Sequence, residues 1–426
     1  MKIFLSFILL YYFKIINSAF PNFYTKIPPE AITGNAGNPL ILTPLIEQNK
    51  IQEAQNASLV TFNGFKNFTS YSGYLTVDKD YNSNMFFWYF PSTTDSDNDP
   101  VVLWLQGGPG ASSMIGLFTE NGPFSVKFKK GLRERQYTWV HNHNMLYIDN
   151  PVGTGYSFTS GGYAQTENKV GEDLYSALIQ FFTLFPKLQK NPFFVSGESY
   201  GGKYVPAVSY IIHSRNHAKN PPQLKINLQG LSIGNGLTDP INQLKYSDYL
   251  YQIGLIDSNG RKVFQSYEQQ ATSYIQNNQF IKAFKVFDEL LNGDTNNHTS
   301  IFKNITGFDN YFNYLYPVDP LNTELLLMGK YIQRLDVRQS IHVGNTSFNI
   351  ENQIVEQNLM NDVMQSIASW LSELLNNYRV LIYNGQLDII INIKLLQGIN
   401  GHMVPADQPA WAFDLISRFT RNKTFY

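Results

Sequence analysis

Ser199 lies in Gly197-Glu198-Ser199-Tyr200-Gly201, and everything else is arranged around it. The apolar run Pro192-Phe193-Phe194-Val195-Ser196 comes before, and Gly202-Lys203-Tyr204-Val205-Pro206 and further helix-forming residues come after. That sequence predicts strand, sharp turn and helix. Gly-x-Ser-x-Gly in this setting is a nucleophile elbow: the turn lifts the hydroxyl above the strand end, and the helix aims its first N–H groups at the same place. A second glycine-rich turn, Gln106-Gly107-Gly108-Pro109-Gly110, follows the apolar strand Val101-Val102-Leu103-Trp104-Leu105. It lacks both the Gly-Lys-Ser/Thr ending and the Gly-x-Gly-x-x-Gly spacing that cradle phosphates. Beside an elbow, such a turn supplies one donor of an oxyanion hole, and the residue after the serine supplies the other. Gly108 and Tyr200 are the predicted donors.

The remaining elements must hold these turns. Tyr71 to Val77 and Met85 to Phe90 predict a hairpin. Strands are predicted at Val101 to Leu105, Asn144 to Ile148, the elbow strand, Leu228 to Ile233 and a buried strand Arg379 to Tyr383. Leu174, Leu178, Phe181, Phe182 and Phe185 share a face of a helix over Gly171 to Phe185. Between Asp239 and about Arg334 the pattern turns helical, at Tyr246 to Ile253, Gly260 to Ser273 and Phe280 to Leu291. This predicts a helical cap inserted at 239–334. Glu356 to Asn377 predicts one more helix. Alternating strands and helices with an elbow give an α/β-hydrolase fold: a central, mostly parallel sheet with an inserted helical cap. Its core is expected at 67–238 and 335–426, with an N-terminal extension at 20–66 that is propeptide-like or wraps the surface.

That fold carries its triad in the chain order Ser, then acid, then His. Of seven histidines, only His402 follows Asp388, and Asp388 lies just past a predicted strand end. A lone histidine in Gly401-His402-Met403-Val404-Pro405 also reads as structural; the elbow and the order select it as the base. Asp388 would hold the imidazole tautomer and His402 would take the Ser199 proton. His141-Asn142-His143 has no acidic or Cys partner at ligand spacing and reads as surface, so no metal and no cofactor are expected.

The 426-residue chain is 43% hydrophobic and 15% aromatic, enough for a large core. A net charge of −1 gives no case for a nucleic-acid partner or an anionic membrane surface. Met1-Lys2, the apolar run Ile3 to Phe13 and Asn17-Ser18-Ala19 predict a signal peptide over 1–19; an ordinary apolar N-terminal helix is the competing reading. Lys14 interrupts the run, so no spanning segment is expected after signal removal. Sequons at Asn56, Asn67, Asn297, Asn304, Asn345 and Asn422 point to a secreted glycoprotein. Zero cysteine removes disulfide bracing, which a core of this size does not require.

Trp104-Leu105-Gln106-Gly107-Gly108-Pro109-Gly110, Glu120-Asn121-Gly122-Pro123, Asp149 to Gly155, Gly197 to Pro206, Asn384 to Asp388 and Gly401 to Pro405 together resemble the serine carboxypeptidases, in particular their vitellogenic carboxypeptidase-like branch. The resemblance covers roughly residues 60–420. It implies removal of a C-terminal residue from peptide substrates in an acidic, secreted or lysosomal setting. It also implies that Gln106, Gly107, Glu120 and Glu198 bind the peptide's terminal carboxylate, with Glu120 and Glu198 sharing a proton at acid pH. Without the resemblance, both glutamates read as solvated loop acids. Two departures stand out. The family's cysteines, one of them where Ala111 stands, are absent. Only thirteen residues, Ile389 to Gly401, separate Asp388 from His402, where the family has a longer stretch with a further strand. Thirteen residues can span ~40 Å extended, so the side chains can still meet. The last strand region is therefore expected to be shortened. Two rival readings stay open: an impaired peptide-binding homologue, and an acyltransferase that passes the acyl group to an alcohol.

Overall fold

The computed structural model describes residues 34–61, 67–127, 131–293, 299–391 and 400–425. Its strands are β1 (Tyr71–Asp78), β2 (Ser83–Phe90), β3 (Val101–Leu105), β4 (Phe124–Lys127), β5 (Gly131–Glu134), β6 (Asn144–Ile148), β7 (Phe193–Glu198), β8 (Leu228–Gly234) and β9 (Arg379–Tyr383). Seven of them form one sheet in the order β1-β2-β6-β3-β7-β8-β9, while β4 and β5 make a separate antiparallel pair. The β1–β2 and β2–β6 pairings are antiparallel; every later pairing is parallel. This is an α/β-hydrolase fold. The apolar run that marks β3 in the sequence is fully buried along its length, as a central strand covered on both faces must be.

Helices Glu167–Leu184 and Gly201–Asn216 pack together beside the sheet. The first starts at Thr166, whose hydroxyl accepts from Lys169 N and satisfies an end N–H. Its buried face runs through Val170, Leu174, Ala177, Leu178 and Phe181. Phe181 meets Phe87 and Tyr89 of β2 edge-on, and each such ring buried contributes about 1.5–3 kcal/mol. Leu40 and Leu42 exchange backbone hydrogen bonds with Tyr74 of β1, so the described part of the N-terminal extension lies along that edge. The predicted signal peptide lies outside the described residues. The stretch 239–334 contains only helices among its described residues, the longest being Ser258–Gln276, Phe280–Leu291 and Asn322–Ile332.

Three expectations need correction. The predicted helix Glu356 to Asn377 is two helices, Gln353–Val363 and Ala368–Leu375. Lys203 Nζ takes the Asp362 carbonyl near the end of the first, and Ile367 N donates to Thr238 O in the break. Strand β9 is not buried: Ile382 is 44% exposed, because β9 pairs with β8 alone among the described residues. No described strand follows β9, although residues 392–399 lie outside those described. His143 is not on the surface. It is fully buried between Trp139 O and Thr420 Oγ1, and burial pushes its imidazole down to about 3.

Candidate active site

Ser199 stands between β7 and helix Gly201–Asn216 with φ +62°, in the left-handed region that non-glycine residues avoid. The conformation is held from three sides: Ser199 N donates to Gly234 O (3.1 Å), and Ser199 O accepts from Gly202 N (2.9 Å) and Leu237 N (3.0 Å). A Cβ on either flanking glycine, Gly197 or Gly201, would lie 2.7 Å from Leu105 O, so the motif's glycines let β3, the turn and the helix approach. Strain of this kind clusters at functional sites.

The glycine turn after β3 lies against the elbow. A Cβ on Gly107 would sit 2.4 Å from Tyr200 N and 2.8 Å from Glu198 O. Gly108 has φ +104°. Neither the Gly108 nor the Tyr200 N–H donates to an acceptor among the described residues, leaving both available to a substrate oxygen. Asp149, at the end of β6, fixes this turn. Its Oδ1 accepts from Ser112 Oγ (2.6 Å) and Ser113 N (3.0 Å), and its Oδ2 accepts from Tyr156 N (2.8 Å). Burial pushes the Asp149 carboxyl up to about 7, with those donors pulling it back.

Asp388 and His402 meet as the chain order requires: His402 Nδ1 is 2.8 Å from Asp388 Oδ2, and both are buried. Asn235, immediately after β8, donates from Nδ2 to the same Asp388 oxygen (2.6 Å), while its Oδ1 accepts from Gly385 N (3.1 Å). Because Ser199 N donates to Gly234 O, the acid is tied to the elbow through two neighbouring residues. The expected hydrogen bond from Ser199 Oγ to His402 Nε2 is not formed: Nε2 is buried with no partner among the described residues. Catalytic hydrogen bonds are often open without substrate and tighten only in the reacting complex.

Glu120 and Glu198 are not solvated loop acids. Glu120 ends a short π-helical turn, Gly116–Glu120, and Glu198 ends β7; they are 1% and 0% exposed. Gln106 Nε2 donates to Glu198 Oε1 (3.2 Å), and Trp104 Nε1 donates to Gln106 Oε1 (3.0 Å), which fixes the amide's orientation. Burial pushes Glu120 up to about 7, and its interactions with Glu198 and Gln106 pull it back. Burial and then the Glu120 charge push Glu198 well above the usual carboxyl range. Each carboxyl acts on the other electrostatically, but neither Glu120 oxygen, nor Glu198 Oε2, has a hydrogen-bond partner among the described residues. No isolated sequence signal could have buried them; the resemblance alone pointed there.

A further charged group beneath the elbow was not foreseen. Lys203, in the first turn of the elbow helix, is fully buried with Nζ 2.6 Å from Asp362 Oδ2. Glu167 lies beside the pair, pushed by burial to about 8 despite the Lys203 charge. Among the described residues, no cluster of three or more His, Cys, Asp or Glu is suited to a metal ion.

An elbow serine, a buried Asp–His pair and a buried glutamate pair with its glutamine converge at one rim of the sheet. The serine carboxypeptidase profile matches residues 61–399. The chain belongs to the serine carboxypeptidase family. It is 52% identical over 436 positions to the venom serine carboxypeptidase of Apis mellifera, covering 92% of each chain. It is 45% identical over 448 positions to the probable serine carboxypeptidase CPVL of Homo sapiens, covering 93% of this chain and 92% of that one. It is 43% identical to the vitellogenic carboxypeptidase of Aedes aegypti, covering 91% of each. The fold matches that of Kex1(Δ)p, a prohormone-processing carboxypeptidase from Saccharomyces cerevisiae, with a TM-score of 0.71 at 20% identity, covering 86% of this chain and 96% of that one. In the Apis alignment, 92% of this 426-residue chain is about 392 residues set against 436 positions, so about 44 positions have no counterpart here.

Of the sequon asparagines, Asn56, Asn67, Asn304, Asn345 and Asn422 are exposed; Asn297 lies outside the described residues. No helix of the described residues is long and apolar enough to cross a membrane.

Proposed function

We propose the following chemistry for this serine-type carboxypeptidase. Ser199 Oγ attacks the carbonyl carbon of the last peptide bond as its proton passes to His402 Nε2. The carbonyl oxygen takes the negative charge, and the Gly108 and Tyr200 N–H groups donate to it. The C–N bond breaks, and His402 returns the proton to the departing amine. Water then attacks the acyl-enzyme with His402 again as base, freeing the shortened peptide. Asp388 keeps the proton on Nδ1 throughout. The Asp388–His402 hydrogen bond, tied through Asn235 to the strained serine turn, is the observation that carries this reading.

The substrate's terminal carboxylate is bound by Gln106, Gly107 and the glutamate pair. With a shared proton the pair donates to that carboxylate; fully ionised, it repels it. Cleavage of free peptides therefore has a lower pH optimum than cleavage of amides or esters, which lack the carboxylate. We also assign 1–19 as a signal peptide, the five exposed sequons and Asn297 as glycosylation sites, 239–334 as a cap over the site, and the secretory pathway as destination, with a secreted or lysosomal end point.

Fluorophosphonate labelling tests the mechanism. The wild type takes up the probe at Ser199, Ser199→Ala does not, and the wild type releases single C-terminal residues from peptides. One observation favours a second reading, an impaired peptide binder: Nε2 has no partner among the described residues. No labelling of folded wild type would establish that reading.

A further inference from the structure

The Asp388–His402 pair is braced by a segment far away in sequence. Residues 310–314 run alongside it and bond to both of its members' neighbourhoods. Ile389 N donates to Tyr311 O (2.9 Å), His402 N donates to Phe312 O (2.8 Å), and Tyr314 N donates to Leu387 O (3.1 Å). Asn310 Oδ1 accepts from Phe312 N (2.9 Å) and locks the turn. Asn313 reaches Asp407 Oδ2 (3.3 Å), which also accepts from Gly401 N (2.6 Å). Above all, the Phe312 ring lies flat on the His402 imidazole, with centroids 4.4 Å apart and planes 8° apart. The imidazole is thus fixed at Nδ1 by Asp388 and on one face by Phe312, with 2% of the residue exposed.

This bracing suits a chain with only thirteen residues between acid and base. We propose that Phe312 is a positioning residue for the proposed base: its ring sets the plane of His402 and its π face favours the imidazolium that forms when Ser199 gives up its proton. An aromatic face within about 6 Å attracts a cation, and the attraction grows in a water-free site. The acidic groups facing His402 are Asp388 at Nδ1 and, further off, Glu120 from the π-helical turn, Asp319 from the preceding loop and Asp407 from the following helix. All are unchanged by substitution at 312. The inference rests on His402 being the base.

The test uses the full-length protein and an ester substrate without a free carboxylate, so that Glu120 and Glu198 do not contribute. Phe312→Leu keeps the apolar bulk and removes the π face; Phe312→Tyr keeps the face. The leucine variant is expected to lose roughly tenfold to a hundredfold in kcat with KM within about twofold, the range that misplacing a catalytic group costs. The acid limb of its kcat/KM profile is expected to move to lower pH, because the protonated base has lost a stabilising partner. The tyrosine variant should recover both. Unchanged kcat and acid limb in Phe312→Leu, or a tyrosine variant as impaired as the leucine one, would overturn the inference. His402→Gln is measured beside them: activity in that variant refutes the base assignment itself, while an inactive His402→Gln with a wild-type Phe312→Leu refutes only the role of Phe312. Thermal unfolding of each variant identifies any loss that comes from misfolding.

Discussion

Glu120→Gln separates the glutamate pair's effect on stability from its effect on substrate. Burial pushes the Glu120 carboxyl from its ordinary value of 4.5 up to about 7 in the folded chain. The folded state therefore holds the proton more tightly than the unfolded state does. The resulting stabilisation is intact below pH 4.5 and is lost as pH rises through about 7. A difference of about 2.5 units, at 1.36 kcal/mol per unit, is about 3 kcal/mol. Unfolding entropy of ~2.1 cal/mol/K per residue over 426 residues converts this to ~3–4 °C in Tm. Glu198 is pushed in the same direction, so the two titrate as a pair and the apparent midpoints belong to both. Glutamine at 120 carries no charge at any pH and removes the repulsion that raises Glu198. Scanning calorimetry from pH 4.5 to 8.5 should show the wild type losing Tm more steeply than Glu120→Gln. The comparison must be between variants, because Asp149 and Glu167, also pushed up by burial, slope the same way in both proteins. Parallel Tm curves would refute the account of a strained carboxyl pair.

Asp388→Asn would leave the ring in place while presenting an N–H to Nδ1, and kcat is expected to fall on the order of 10⁴-fold with KM little changed, measured by steady-state peptidase assay. Gly107→Ala drives a methyl onto Tyr200 N and Glu198 O; fluorophosphonate labelling should slow by at least about a hundredfold while the variant still folds. Lys203→Met leaves Asp362 buried beside Glu167 without its cation and should cost about 3–5 kcal/mol, read by urea denaturation. The double variant Lys203→Met, Asp362→Leu should recover much of that loss.

The elbow turn, the glycine turn and the Asp388–His402 pairing are legible because each depends on local chemistry: small residues where backbones meet, a serine at a strand end, and a restrictive chain order. Strand β3 was legible because an unbroken apolar run has few places to go. Strand β9 has the same kind of run, Arg379-Val380-Leu381-Ile382-Tyr383, but its exposure depends on which strands flank it, and no residue of β9 carries that information. The break in the predicted helix 356–377 falls where Lys203, more than 150 residues away, donates to the Asp362 carbonyl. The burial of Glu120 and Glu198 and the Phe312 stack on His402 are likewise products of distant segments meeting. Propensity and spacing do not record such meetings.

Among the described residues, β9 has a neighbouring strand on one side only. Its outward N–H and C=O groups have no strand beside them among the described residues, and Ile382 offers water an apolar side chain there. Such a border is a template for any extended chain that passes, including another molecule of the same protein. Association at high concentration is therefore expected at this short ribbon, at the opposite margin from β1, and light scattering should fall when a lysine replaces Ile382.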